Sequence, residues 1–168
     1  IGFGEVNTPK DVIIRKCEAA EASLKAEGLD LISVYPVADD YEEKDIRACL
    51  DALSGKDFDA MVLCIAGWIP THAVIRVTDH FRHIPMLLWG LCGWKENGRI
   101  ITTAEQAGTT AIRPAFEALE YNFKYIYNVI GKEWPMGKIE AFISACRARK
   151  NLRSAKVGTM GYRDMLLY

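Results

Sequence analysis

Seven consecutive apolar residues, Ala60–Ala66, stand between Asp59 and Gly67. A run of that length without polar alternation reads as a strand buried on both faces, and such strands belong to parallel sheets covered by helices on either side. The rest of the chain supplies those helices in regular alternation. Ile1–Val6 reads as a first strand, and Thr8-Pro9-Lys10-Asp11 as a helix start with Thr8 as cap and Pro9 at the first helical position. That helix runs to about Glu27, with Val12, Cys17, Ala20 and Leu24 near one face, and Gly28 ends it. Leu29–Tyr35 reads as a second strand. The acidic group Asp39–Glu43 then leads a helix carrying Ile46, Cys49, Leu50 and Leu53, closed by Ser54-Gly55.

After the Ala60–Ala66 strand and the turn at Gly67–Pro70, Thr71–Phe81 is expected to be helical and Pro85–Trp89 to form a fourth strand. Gly90–Trp94 is a glycine-rich loop and Asn97-Gly98 a turn. Glu105–Tyr121 reads as helix, with Pro114 implying a kink or a start nearer Thr110. Phe123–Tyr127 is a fifth strand, Met136–Lys150 a final helix, and the basic Arg147–Arg153 its end running into a linker. This alternation is the pattern of a doubly wound α/β domain, a three-layer open parallel sheet.

Charge narrows the partners. The 168 residues carry 21 Lys and Arg against 22 Asp and Glu, a net charge of -1. Such a balance offers no excess to attract nucleic acid or an anionic membrane surface. The longest charge-free stretch, from Ala60 to Ile75, is shorter than the ~20 residues that span a bilayer. Five scattered cysteines without a CxxC pair read as buried thiols of a reducing compartment, which makes cytoplasm the expected location. The chain opens at Ile1 inside one apolar run and closes at Tyr168 just after another has begun, the expectation being a piece of a longer polypeptide.

In an open parallel sheet ligands gather outside the carboxyl ends of the strands. That rule marks three loops: Glu5–Lys10, Ala66–His72 and Trp89–Trp94. Trp68, between Gly67 and Pro70, offers a flat apolar face and an indole N–H, a surface on which sugar rings stack and hydrogen-bond; a rim tryptophan packing on the next helix is the alternative, and the one that composition alone favours. Asn7 and Lys10 surround a helix N-terminus that attracts anions or hydroxyls, or serves only as a cap. Trp89 adds a further aromatic, although its place at the end of an apolar strand also suits the core. Gly2-Phe3-Gly4 lacks the third glycine of a dinucleotide loop, since position 7 is Asn. His72, His80, His83 and Asp79 lack a second carboxylate or a cysteine at ligand spacing, so a solvated face or subunit contact explains them better than a metal.

Several segments together resemble the L-fucose isomerase family. Asp59–Trp68 is similar to its strand-then-tryptophan segment, Pro85–Gly90 to its next strand and loop, Ala107–Arg113 to the following helix start, and Lys156–Met165 to the first strand and glycine loop of its second domain. The resemblance covers nearly all of the chain in order. It implies a flavodoxin-like or Rossmann-like N-terminal domain over residues 1–153, with residues 154–168 opening a second α/β domain. It also implies an aldose–ketose isomerase of free sugars that uses Mn²⁺, assembled as a homo-oligomer, with the metal ligands beyond Tyr168. The first domain of such an enzyme caps a neighbouring subunit's active site, where the family tryptophan contacts the monosaccharide; that residue corresponds to Trp68, with Asn7–Lys10 near the same cleft. Ala66-Gly67 stands here where fucose isomerases carry a proline–cysteine pair, so the tryptophan alone carries over. The competing expectation is a non-catalytic sugar-binding lobe or sensor. A flavin-binding scaffold is disfavoured, because no Ser/Thr-rich phosphate loop follows the first strand.

Overall fold

The computed structural model describes residues 1–158. Four parallel strands form one sheet in the order β1 (Gly2–Phe3), β2 (Met61–Ile65), β3 (Met86–Gly90) and β6 (Phe123–Tyr127). Helices cover both faces, and the alternation of side chains along β2 and β3 explains why both faces are apolar. Met61, Leu63, Ile65, Met86 and Leu88 point into a core closed by α2 (Lys44–Leu53), α3 (Thr71–Thr78) and α4 (Glu105–Ala118). Cys64, Leu87 and Trp89 point the other way, into a core shared with α1 (Lys10–Ala26) and α5 (Met136–Ser154). The expectation of a parallel α/β sheet with flanking helices holds. Among the described residues no helix is long and apolar enough to cross a membrane.

Several boundaries differ, each for a local reason. The Leu29–Tyr35 segment is not a strand. It meets the sheet through the Val34 carbonyl, which accepts from the Gly2 N–H at 2.9 Å, and through a single parallel bridge between Phe3 and Val37. Pro36, which has no N–H, interrupts any regular ladder between those points. The first strand spans Gly2–Phe3 alone, and Gly4 after it is a close-approach position, where a Cβ would lie 2.5 Å from Ile13 Cδ1. Thr8 does not cap α1; the helix begins at Lys10 after Pro9, and its inward face is led by Ile13 and not Val12. The acidic group does precede α2, with Asp40 accepting from the N–H groups of Glu42, Lys44 and Asp45. Those bonds, that of Lys44 foremost, hold its carboxyl below the usual range.

Helix α4 starts at Glu105, not near Thr110, and keeps Pro114 in its interior. The glycine-rich loop continues into an antiparallel hairpin, β4 (Trp94–Glu96) and β5 (Arg99–Ile101), turning at Asn97-Gly98. The basic end of α5 stays helical to Ser154 and faces Asp57 and Asp59, with Lys150 Nζ at 2.7 and 3.0 Å from their carboxylates. Most of the Lys156–Met165 segment lies outside the described residues.

Candidate functional site

Register builds the site. Phe3 pairs with Ile65, Ile65 with Gly90 and Gly90 with Tyr127, so the four strands end in one row. Gly4, Ala66, Leu91 and Asn128, the next residues, therefore line a single edge. The ladder continues one step into them: the Ala66 N–H donates to Phe3 O, Leu91 to Ile65 O and Asn128 to Gly90 O. This is the carboxyl edge where open α/β sheets hold ligands.

Trp68 stands on that edge with 37% of its surface exposed. Gly67 beneath it is a close-approach position: a Cβ there would lie 2.8 Å from Ile13 Cδ1 and 3.5 Å from Thr8 Oγ1. The loop after β1 thus touches the loop after β2 where Thr8 meets Gly67, the residues that follow Asn7 and precede Trp68. Asn7 is exposed, its Nδ2 donating to Glu5 Oε1 at 3.1 Å, and Lys10 is exposed as the first residue of α1. On its other side the Trp68 backbone rests on α4, where Gly108 would bring a Cβ to 3.4 Å from Trp68 Cα.

Trp89 is placed elsewhere. It is fully buried between β3 and α5, donates its indole N–H to Asn128 Oδ1 at 2.8 Å, and meets Trp134 edge-on at 5.4 Å. With no exposed face it is a core residue and not part of a ligand surface. Trp89 faces the same side of β3 as Leu87, into the core shared with α1 and α5, and both faces of that strand are covered.

Three residues that sequence reasoning passed over lie at the centre of the edge. Lys16, on α1, is largely buried and donates to Leu91 O and Thr103 Oγ1, both at 3.1 Å, with Glu105 Oε2 at 3.4 Å. Glu105 is fully buried, and its Oε2 also accepts from the Thr103 N–H and from the Thr102 hydroxyl, each at 2.9 Å. Thr103 Oγ1 lies 2.6 Å from Ala66 O, and Thr103 O accepts from the Trp68 N–H at 2.7 Å. Burial lowers the pKa of Lys16 against the opposing pull of Glu105, and burial followed by the Glu105 charge raises that of Cys92. The sequence carried one signal for this cluster, the Thr102-x-x-Glu105 spacing of a capping box. Nothing local marks Lys16.

Behind Lys16 lies a cavity of about 320 Å³, bounded by Val12, Leu91, Cys92, Trp94, Asn128 and Trp134. A second, of about 240 Å³, opens at the opposite end of the sheet beside Leu31, Tyr35, Met61 and Ile143. Among the described residues no group of three or more His, Cys, Asp or Glu is placed to hold a metal, and His72, His80 and His83 are all exposed. What the edge offers chemically is a part-exposed indole face for stacking, with its backbone N–H held by Thr103 O, and an exposed amide and ammonium on the loop after β1. No family model, curated protein or solved structure matches the chain.

Proposed function

We propose that the chain is the N-terminal, substrate-capping and oligomerising domain of an aldose–ketose isomerase similar to L-fucose isomerase, working in the cytoplasm. The observation that carries this reading is Trp68, part-exposed at the carboxyl edge of a central strand and anchored through its backbone N–H to Thr103 O. The segment ending at Val37, which bridges to β1 outside the sheet, supports the flavodoxin-like order expected of such a domain. The described residues do not fit the Mn²⁺ that the resemblance implies, since they offer no cluster of donors, and no step through the metal is assigned to them. The domain's part is to cover the sugar with the Trp68 ring, to exclude water, and to orient hydroxyls through Asn7 and Lys10.

In the full polypeptide, Trp68→Ala is expected to lower kcat/KM for aldose isomerisation at least about tenfold, roughly 1.4 kcal/mol of lost stabilisation, while the melting temperature moves little. Unchanged kinetics with a lower melting temperature would assign Trp68 to packing. The second reading, a non-catalytic sugar-binding lobe, draws on Glu105, the carboxylate tied to the Trp68 loop, being occupied by Lys16 and Thr102. Sugar-dependent quenching of Trp68 fluorescence with no ketose formed would select it.

A further inference from the structure

We infer that Thr103, held by the buried Lys16–Glu105 pair, is a positioning residue that fixes the backbone beneath Trp68. The inference rests on the reading of Trp68 as the sugar-stacking residue. Thr103 bonds to both neighbours of Gly67: its hydroxyl reaches Ala66 O at 2.6 Å, and its carbonyl accepts from the Trp68 N–H at 2.7 Å. A glycine has the widest backbone freedom of any residue, so a tryptophan that follows one is aimed only if outside groups hold the flanking peptides. Thr103 holds both.

The hydroxyl itself is directed. It has one proton, and Lys16 Nζ, 3.1 Å away, occupies a lone pair as donor. The proton then goes to Ala66 O, the nearer of its two acceptors, Glu105 Oε2 being at 2.9 Å. Glu105 takes the Thr103 N–H, so both ends of the residue are fixed. Ala104, between them, adopts φ 56°, a left-handed conformation that a non-glycine residue holds only when its neighbours enforce it.

The pair is poorly explained by stability alone. Burying an ammonium and a carboxylate costs as much as their attraction returns, and an apolar replacement is often as stable. Glu105 Oε1 moreover has no hydrogen-bond partner among the described residues. What the pair does supply is orientation, at the residue that grips the Trp68 loop.

The test uses the full polypeptide. Thr103→Val keeps the shape and both backbone bonds but removes the hydroxyl; Thr103→Ser restores it. The readouts are the aldose KM against kcat, and iodide quenching of Trp68, taken as the difference from the same protein carrying Trp68→Phe. Stacking holds substrate and transition state alike, so its loss falls on KM. Thr103→Val is expected to raise KM about fivefold with kcat within about twofold, to change Trp68 quenching about twofold, and to be rescued in both by Thr103→Ser. A lower melting temperature with KM and quenching at their original values would overturn the assignment, as would failure of the serine rescue. If Thr103→Val does not fold, the Lys16→Met/Glu105→Gln protein, which removes the groups that hold Thr103 but keeps its hydroxyl, is read by the same two measurements: a raised KM with altered quenching supports the assignment, and both at their original values overturn it. Altered quenching in a protein that forms no ketose at all would keep Thr103 as the anchor of the loop and overturn the isomerase reading alone.

Discussion

Trp68 follows β2 and Trp89 lies within the neighbouring β3, and they are held in opposite ways. Trp89 is fixed by its side chain, which is buried against Trp134 and bonded to Asn128. Trp68 is fixed by its backbone, through Thr103 and the close approach of Gly108, while more than a third of its surface stays open. The two indoles differ less in kind than in what holds them, and that difference separates a residue made for packing from one available to a ligand.

The largest expected effect breaks the Trp89 side. Trp89→Ala should cost about 3–5 kcal/mol, the range for emptying a large aromatic site, with Asn128 left short of a donor as well. Melting would fall by roughly 10 °C in a chain of this size. A loss no larger than that of Trp68→Ala would abolish the contrast. The Trp68→Ala kinetics and the Thr103→Val quenching probe the other side, where binding is expected to change more than stability.

A smaller effect, read as the difference between the protein and its Cys17→Ala variant, sharpens the comparison through pH. Burial pushes the thiol of Cys17 up to about 12 and those of Cys49 and Cys64 to about 11, above their ordinary 9.0. Above pH 9 the unfolded chain therefore loses these protons first, and each thiol removes about 1.4 kcal/mol of stability per pH unit until its folded pKa is reached. Lys16 acts in the opposite sense, because its lowered pKa leaves the unfolded chain holding more protons below 10.5, so stability gains from it as pH rises. Three thiols outweigh one lysine, and the urea midpoint should drop between pH 8 and pH 10.5, less steeply in Cys17→Ala. A flat or rising midpoint would contradict the burial of that core.

The smallest effect is one of rate. Cys92 is the half-buried thiol beside Lys16, whereas Cys17, Cys49, Cys64 and Cys146 are buried. A thiol reagent at neutral pH should modify Cys92 first, and Cys17 and Cys64 only as the protein unfolds. Equal rates for Cys92 and Cys64 would show that the edge and the core beneath it open together.

Much of the fold was readable because apolar pattern and breaker residues act locally. Phe123–Tyr127 and the start of the last helix at Met136 fall where the pattern puts them, and Gly28, at φ 73°, ends α1 as expected. The Leu29–Tyr35 strand failed for a reason no periodicity carries: whether an apolar run completes a ladder depends on what lies beside it, and here β1 offers only two residues. The site divided the same way. Trp68 was legible as an aromatic after a buried strand. Lys16 was not, since its partners Leu91, Thr103 and Glu105 lie 75 residues or more away along the chain.

By itself, then, the order of residues determined the alternation of strands and helices and which loops would share an edge, because both follow from hydrophobic periodicity and the parallel connection rule. Only tertiary structure decided that Trp89 faces inward, that Lys16 and Glu105 meet inside the protein, and that Thr103 grips the peptides on either side of Gly67. Those outcomes depend on pairs brought together by packing, and the free energy of a buried charge or indole is set by its neighbours in space rather than in sequence.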